Sequence, residues 1–335
     1  MEKNKHIVLG HGSGGKLMHE LIESIFVKYF YNEVLVREED SAVLSFSSEN
    51  LVFTTDSYVV DPVFFPGGNI GKLAVCGTVN DLAVMGATPR YLSVGFIIEE
   101  GFPLKDLETI VKSMAREAKA AGVDIVTGDT KVVRKGQCDK IFINTSGIGL
   151  LDAPSHIKGE VESNDAILLN GYIADHGMAV MGARESLNLS EAIRSDCACL
   201  HHLLHHIRQE VDVKFARDAT RGGLATVLSE LAQKKNVGVE IEEDAIPLQE
   251  DTASICEMLG FDPLHVANEG KVLLVVPGHQ ANKTLDILKK HDLGKAAAII
   301  GEITAAHPQK VVMHTSIGGK RFVQMLSGEQ LPRIC

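Results

Sequence analysis

Apolar positions along the chain fall into runs of two different periods. LVFTTDSYVV (51–60), LSVGFIIEEG (92–101), VDIVTGDT (123–130) and KIFINTSGIGLL (140–151) are short, apolar and rich in β-branched residues, and they predict strands. Between the first two, NIGKLAVCGTVNDLAVMGATP predicts a helix closed by Gly86 and Pro89. Pro103 opens a second helix. Its apolar residues Leu104, Leu107, Ile110, Val111, Met114 and Ala118 keep the helical period until Gly122 ends it.

The pattern loosens over DAPSHIKGEVESN (152–164), which reads as a boundary. The second half repeats the theme. AILLNGY, KVLLVVPG and AAAIIGEI predict short buried strands, and HGMAVMGARE starts a helix. VKFARDAT runs into RGGLATVLSELAQ as a strand-to-helix turn. After Gly318 the periodicity is weak and predicts a mobile tail. The expected organisation is an α/β (α+β) protein with domains at 1–153 and 154–318 and a tail at 319–335. No short-period repeat or low-complexity tract is present.

Composition narrows the partners. A chain of 335 residues exceeds what one core comfortably organises, consistent with two domains. Lys and Arg total 33 against 44 Asp and Glu, a formal charge of -11. That argues against nucleic acid or an anionic membrane as the main partner, but not against phosphates held through Mg²⁺. The start lacks a signal-type apolar stretch, and runs such as Val272–Val276 are too short to span a bilayer, so a soluble cytoplasmic protein is expected. Six Cys without a CxxC pair argue against a disulfide framework or a structural zinc site.

Acidic residues recur at element junctions: Asp40, Asp56, Asp81 after Asn80, Asp129 before Thr130, and Asp218. Carboxylates converging from several loops suit a nucleotide–Mg²⁺ site, although each Asp singly also suits a cap or turn. Gly222 and Gly223 open a helix whose bare N–H groups would attract an anion, or serve packing alone. GHGSGGK (10–16) matches the glycine spacing of a P-loop, but Leu17 replaces the hydroxyl residue. A glycine loop covering phosphates, or a flexible segment, are the remaining readings. Lys131 and Glu269 are candidates for proton exchange with substrate, or for a surface ion pair. HHLLHH (201–206) offers i, i+4 imidazole pairs for a transition metal, or an ordinary helix face. Cys335 at the end of GEQLPRIC cannot be a prenylation site, since no residues follow it, and the tail offers no zinc partners. It is either incidental or a thiol on an arm.

Together, EDSAV, TTDS, GTVNDLAVMGATP, TGDTKV, ARDATRGGL and NEGK resemble the ATP-binding enzymes related to aminoimidazole ribonucleotide synthetase. The resemblance covers almost the whole chain. The GHGSGGK start and the PRIC end are similar to the carbamoyl dehydratases of [NiFe]-hydrogenase maturation within that superfamily. The resemblance implies an N-terminal α/β domain that dimerises through its sheet, a second α/β domain beside it, and ATP in the cleft between them. It implies Asp56, Asp81, Asp129 and Asp218 around Mg²⁺ and phosphates, with Asn80 and Thr130 as support and Asp40 less securely matched. It further implies that a carbamoyltransferase, HypF, loads Cys335. ATP then activates the carbamoyl oxygen, Glu269 oriented by Lys131 removes protons, and the thiocyanate passes to iron on a HypC–HypD scaffold. Two rivals stand beside it: a small-molecule enzyme of the superfamily, such as selenophosphate synthetase or thiamine monophosphate kinase, and a metal chaperone using the histidines.

Overall fold

The computed structural model describes residues 6–12, 16–35, 50–151, 157, 159–185, 193–325, 331 and 333–335. Asp40 lies outside the described residues, as do residues 13–15 of the glycine loop.

The first half begins with α1 (Lys16–Leu21) and α2 (Lys28–Phe30), joined by a π-helical stretch, Ile22–Val27. Strand β1 (Asn50–Tyr58) is followed by a small hairpin, β2 (Phe64–Phe65) and β3 (Gly68–Asn69). Next come α3 (Ile70–Val84), β4 (Thr88–Glu99), α4 (Leu104–Ala121), β5 (Asp124–Val133) and β6 (Ile141–Leu151). The sheet order is β1-β6-β4-β5. Only β4 and β5 run parallel, as a strand–helix–strand crossover through α4 requires. The Asn69 side chain caps α3 by accepting from the N–H groups of Gly71 and Lys72. Thirteen of the fifteen α3 residues are buried, because α3 packs on both the first sheet and the second half of the chain. An all-round apolar helix of this kind belongs in a core. Gly77 makes one approach possible: a Cβ there would lie 2.3 Å from the Tyr58 hydroxyl oxygen.

The second half contributes β7 (Ala166–Leu169), α5 (Asp175–Arg184), α6 (His201–Glu210), β8 (Phe215–Asp218), α7 (Gly223–Lys235) and β9 (Gly238–Glu242). It continues with α8 (Glu250–Leu259), β10 (Val272–Val276), α9 (Ala281–Lys290), β11 (Ala298–Thr304), β12 (Val311–His314) and β13 (Lys320–Val323). These form a seven-stranded sheet, β13-β12-β9-β11-β7-β10-β8, antiparallel except at β12–β9. Every residue of β7 and β10 is buried. Their alternate side chains feed two cores: Ile167, Leu169, Leu273 and Val275 face one, Ala166, Leu168, Val272 and Leu274 the other. A sheet covered on both faces needs such continuous apolar strands.

The segment expected to run as a tail from residue 319 begins instead with β13 on the sheet edge. Leu331 and Ile334 are buried in the main core, with Cys335 packed against it. Weak periodicity hid both features, because a four-residue edge strand and two isolated apolar anchors leave no repeating pattern.

Candidate functional site

A cleft of about 1090 Å³ opens between the two halves. Its walls are β1 and α3 on one side, and β8 with the turn into α7 on the other. Strand alternation aims Thr54 and Asp56 of β1 toward α3, where Asp81 sits one turn from the helix end. Thr54 Oγ1 donates to Asp81 Oδ2 at 2.9 Å. Asp218, the last residue of β8, completes the acidic trio. Burial, reinforced by the Asp81 charge, raises the Asp218 carboxyl to about 7. Burial also raises Asp81. Among the described residues none of the three acids is in an ion pair. Thr220, Arg217, Arg221 and Lys235 bring donors and positive charge to the same cleft. Carboxylates beside cations suit a polyphosphate carrying a hard divalent ion. Among the described residues no three His, Cys, Asp or Glu side chains already converge as a ready metal cage. A Mg²⁺ ion that keeps water and phosphate ligands needs only one or two protein carboxylates, so the donor set fits it.

Asp129 lies on the other side of the sheet. Across the strands, Ser57 pairs with Asn144, Asn144 with Gly95, and Gly95 with Asp129. That row faces away from α3, so within one chain Asp129 does not join Asp56, Asp81 and Asp218. Asp129 Oδ1 accepts from Lys131 Nζ at 3.1 Å, both side chains being exposed. The pair lines a smaller cavity of about 380 Å³ with Ser57, Val59 and Asn144. Thr130 is buried on the face toward α1 and α2.

Asn80 is not free to support phosphates. Its Nδ2 donates to the carbonyls of Ala198 (3.0 Å) and Glu269 (3.3 Å), and its Oδ1 accepts from Leu200 N. It stitches α3 to the second half of the chain and fixes the backbone at Glu269. Asp196 shares that task, accepting from the N–H groups of Glu269 and Gly270 while paired with Lys271 at 2.9 Å. Glu269 itself is buried, and among the described residues its Oε1 has no partner. Burial first, then the neighbouring Cys197 and Asp196, pushes its carboxyl well above the usual range. Lys131 is not brought to Glu269: one is exposed and bound to Asp129, the other enclosed.

The helix opened by Gly222 and Gly223 has a packing explanation. Gly223 sits at φ +61, and a Cβ there would lie 2.5 Å from Leu264 O. Thr220 and Arg221, just before the glycines, are what line the cleft. The histidines of α6 divide: His201 is buried with its ring 3.8 Å from that of His202, and His205 bonds to Gln209. Cys199 Sγ lies 3.5 Å from Cys76 Sγ.

The residues Leu331 and Arg333–Cys335 dock on both halves at once. Val59 N donates to Cys335 O and Asp61 N to Arg333 O, each at 3.2 Å. Arg184 Nη2 donates to Arg333 O (2.8 Å) and to Asp61 O (2.7 Å). His176, fully buried, lies 2.8 Å from Ile334 O through Nε2 and 2.8 Å from Ser195 Oγ through Nδ1. A carbonyl only accepts, so Nε2 carries the proton and Nδ1 accepts from Ser195. Arg333 Nε donates to Val59 O, and its guanidinium pairs with Asp139. Val59, which holds Cys335, also lines the cavity containing Lys131. Sequence reasoning missed His176, Arg184 and Asp196. The first two lie eight residues apart on one face of α5, a spacing that signals something only once the face's partner is known.

Comparison with known proteins places the chain in a family. The family model for the AIR synthase related protein, N-terminal domain, matches residues 38–151, and that for its C-terminal domain matches 162–314. The chain is 47% identical over 335 residues to carbamoyl dehydratase HypE of Azotobacter vinelandii, covering 99% of this chain and 98% of that protein. A crystal structure of hydrogenase maturation protein HypE in complex with ATP superposes with a TM-score of 0.94 at 45% identity, covering 98% of this chain and 99% of that one. A crystal structure of a HypE–HypF complex contains a chain with a TM-score of 0.79 at 50% identity, covering 91% of this chain and 99% of that one. The chain belongs to the AIR synthase related proteins and, within them, to the carbamoyl dehydratase HypE family.

Proposed function

We propose that this protein uses ATP to dehydrate an S-carbamoyl group on Cys335 to a thiocyanate, supplying the cyanide ligand for the iron of [NiFe]-hydrogenase. The docking of Arg333–Cys335 beside the Lys131 cavity, in a chain of this family, carries the reading. The overall step balances as R–S–C(O)NH₂ + ATP → R–S–C≡N + ADP + phosphate + H⁺, with the amide oxygen leaving on phosphate.

ATP occupies the cleft of Asp56, Asp81 and Asp218, with Arg217 and Arg221 toward its phosphates. Carboxylates of Asp56, Asp81 and Asp218 would hold a Mg²⁺ ion, which would supply charge neutralisation for the phosphates. The N–H of Val59 and the side chains of Arg184 and His176 fix the tail backbone and so orient the Cys335 sulfur. Glu269 takes an amide proton. Its enclosed carboxyl, with no partner at Oε1 among the described residues, is a strong base once ionised.

Lys131 and Asp129 lie on the sheet face where Phe53 is 64% exposed and Leu51 and Ile97 are also exposed. We assign this face to a homodimer, in which a second copy covers the apolar residues and brings Asp129 and Lys131 to a composite site. Loading by HypF and delivery to a HypC–HypD scaffold complete the proposed sequence. No described helix is long and apolar enough to cross a membrane.

Intact-mass measurement after carbamoylation tests the reading. With MgATP, the mass should fall by one water, and Cys335→Ala should bind ATP yet never acquire the group. Water loss in the Cys335→Ala protein would overturn it.

A further inference from the structure

All the partners described for Leu331 and Arg333–Cys335 are remote in sequence, at residues 59–61, 139, 176–177 and 184. Among the described residues, these contacts come from elements far from the tail in sequence, not from the segment that joins it to the chain. We propose that these residues form a peptide-binding cradle that accepts a separate Leu-Pro-Arg-Ile-Cys peptide, including the tail of a second copy, in trans. The inference extends the reading of Cys335 as the carrier, but its binding test does not depend on the dehydration chemistry.

The cradle has the parts of a complete peptide site. Backbone recognition comes from the N–H groups of Val59 and Asp61, which read alternate carbonyls of the segment, those of Cys335 and Arg333. Main-chain bonds of this kind give a bound peptide affinity, and side-chain pockets give it specificity. The intervening carbonyl, of Ile334, is met by His176 Nε2. Each carbonyl from 333 to 335 therefore has a donor.

Side-chain specificity has three parts. Ile334 is 3% exposed in the core. Leu331 is 7% exposed and packs at Gly177, where a Cβ would lie 3.3 Å from its Cδ1 and 2.4 Å from Val266 Cγ1. Arg333 is read by Asp139 and by Val59 O. The walls are fixed independently of the peptide. Arg184 bonds Asp61 O through both Nε and Nη2, Lys140 Nζ holds Asp61 Oδ1 at 2.8 Å, and Ser195 Oγ, which itself accepts from Cys197 N, orients His176. A site held in shape by its own bonds loses little freedom when it binds.

In the intact chain the tethered tail competes at a high effective concentration, so trans binding needs the resident segment displaced. The full-length Arg333→Glu/Ile334→Asp variant supplies that state. The first substitution sets a carboxylate against Asp139, and the second drives one into an apolar pocket. Acetyl-Leu-Pro-Arg-Ile-Cys, labelled at its amino end, is expected to bind this variant saturably, and the wild-type chain at least about tenfold more weakly. A scrambled peptide should bind neither. Adding Arg184→Ala should weaken peptide binding by about tenfold or more, because one charged donor serves both Arg333 O and the cradle wall. Absence of saturable binding to the displaced-tail variant, or equal binding of the scrambled peptide, would overturn the proposal. If the double variant does not fold, Arg333→Ala alone, which keeps Ile334, replaces it with the same criteria. The S-carbamoyl peptide with MgATP then separates the two readings. Conversion to the peptide thiocyanate supports both. Binding without conversion leaves the cradle standing and counts against the dehydratase chemistry.

Discussion

The cleft and the tail cradle lie on the same boundary between the two halves, yet they are built in opposite ways. In the cleft, Asp56, Asp81 and Asp218 crowd like charges together without ion pairs, and Arg217 and Arg221 line the same space. In the cradle, each carbonyl from Arg333 to Cys335 has a donor, and each charged group named there has a partner. Unbalanced charge marks a place prepared for a ligand, since ligand binding relieves the repulsion. Saturated bonding marks a place whose ligand is part of the chain.

The contrast can be broken from either side. The largest effect should come from Glu269→Gln, which keeps the shape but removes the proposed base. Dehydration measured by intact mass should slow about 10²–10⁴-fold, with ATP affinity unchanged. Thermal stability should hold or rise, because a buried acid without a partner at Oε1 becomes a neutral amide. An unchanged rate would remove Glu269 from the chemistry.

Asp218→Asn should weaken MgATP binding by about 10–100-fold in calorimetry, the loss of one charge-assisted contact. The same variant should raise stability at pH 8, because one of the crowded charges is gone. Loss of affinity together with lower stability would mean that Asp218 serves the fold instead.

The pH dependence follows from the same group. Asp218 titrates at about 7 in the ligand-free protein, well above its ordinary 3.8. A raised acid is protonated below that value, and the proposed contact with MgATP requires it ionised. MgATP affinity should therefore fall by up to about tenfold per pH unit below 7, and binding at pH 6 should release a proton. Calorimetry in buffers of different ionisation enthalpy reads that proton directly. Folding has the opposite sign: the raised acid lowers stability as pH climbs from about 4 to 7. Asp218→Asn should flatten both profiles.

The smallest effect probes what holds the two regions together. Gly77→Ala sets a methyl 2.3 Å from the Tyr58 hydroxyl, in the middle of α3. Overpacking there should cost about 1–3 kcal/mol, seen as a lower Tm. MgATP affinity should change less than in Asp218→Asn.

Much of this was legible in the residues because it is local. The helix at 70–84, its capped neighbour at 104–121 and the buried strands at 166–169 and 272–276 follow from periodicity and from Gly and Pro signals. The acids at 56, 81 and 218 stood out because each sits where an apolar element meets a turn. Pairings were not legible. Asn80 reads as a phosphate residue beside Asp81, but one position along a helix turns its side chain by about 100°, into the contact with Ala198 and Glu269. Asp129 reads as a fourth ligand, but strand register sends it to the opposite face from Asp56.

The chain by itself determined the elements, the acidic junctions, the family resemblance and the presence of a thiol at residue 335. Each depends on neighbours a few positions apart or on residue identity alone. Only the tertiary structure decided which acids share a cleft, that Glu269 is enclosed with an orphaned oxygen, and that His176, Arg184 and Asp139 receive Arg333–Cys335. The contacts of Asp218 with the other acids, and those of the tail, join positions more than a hundred residues apart. Helix phase and strand register set them, and no local pattern records either.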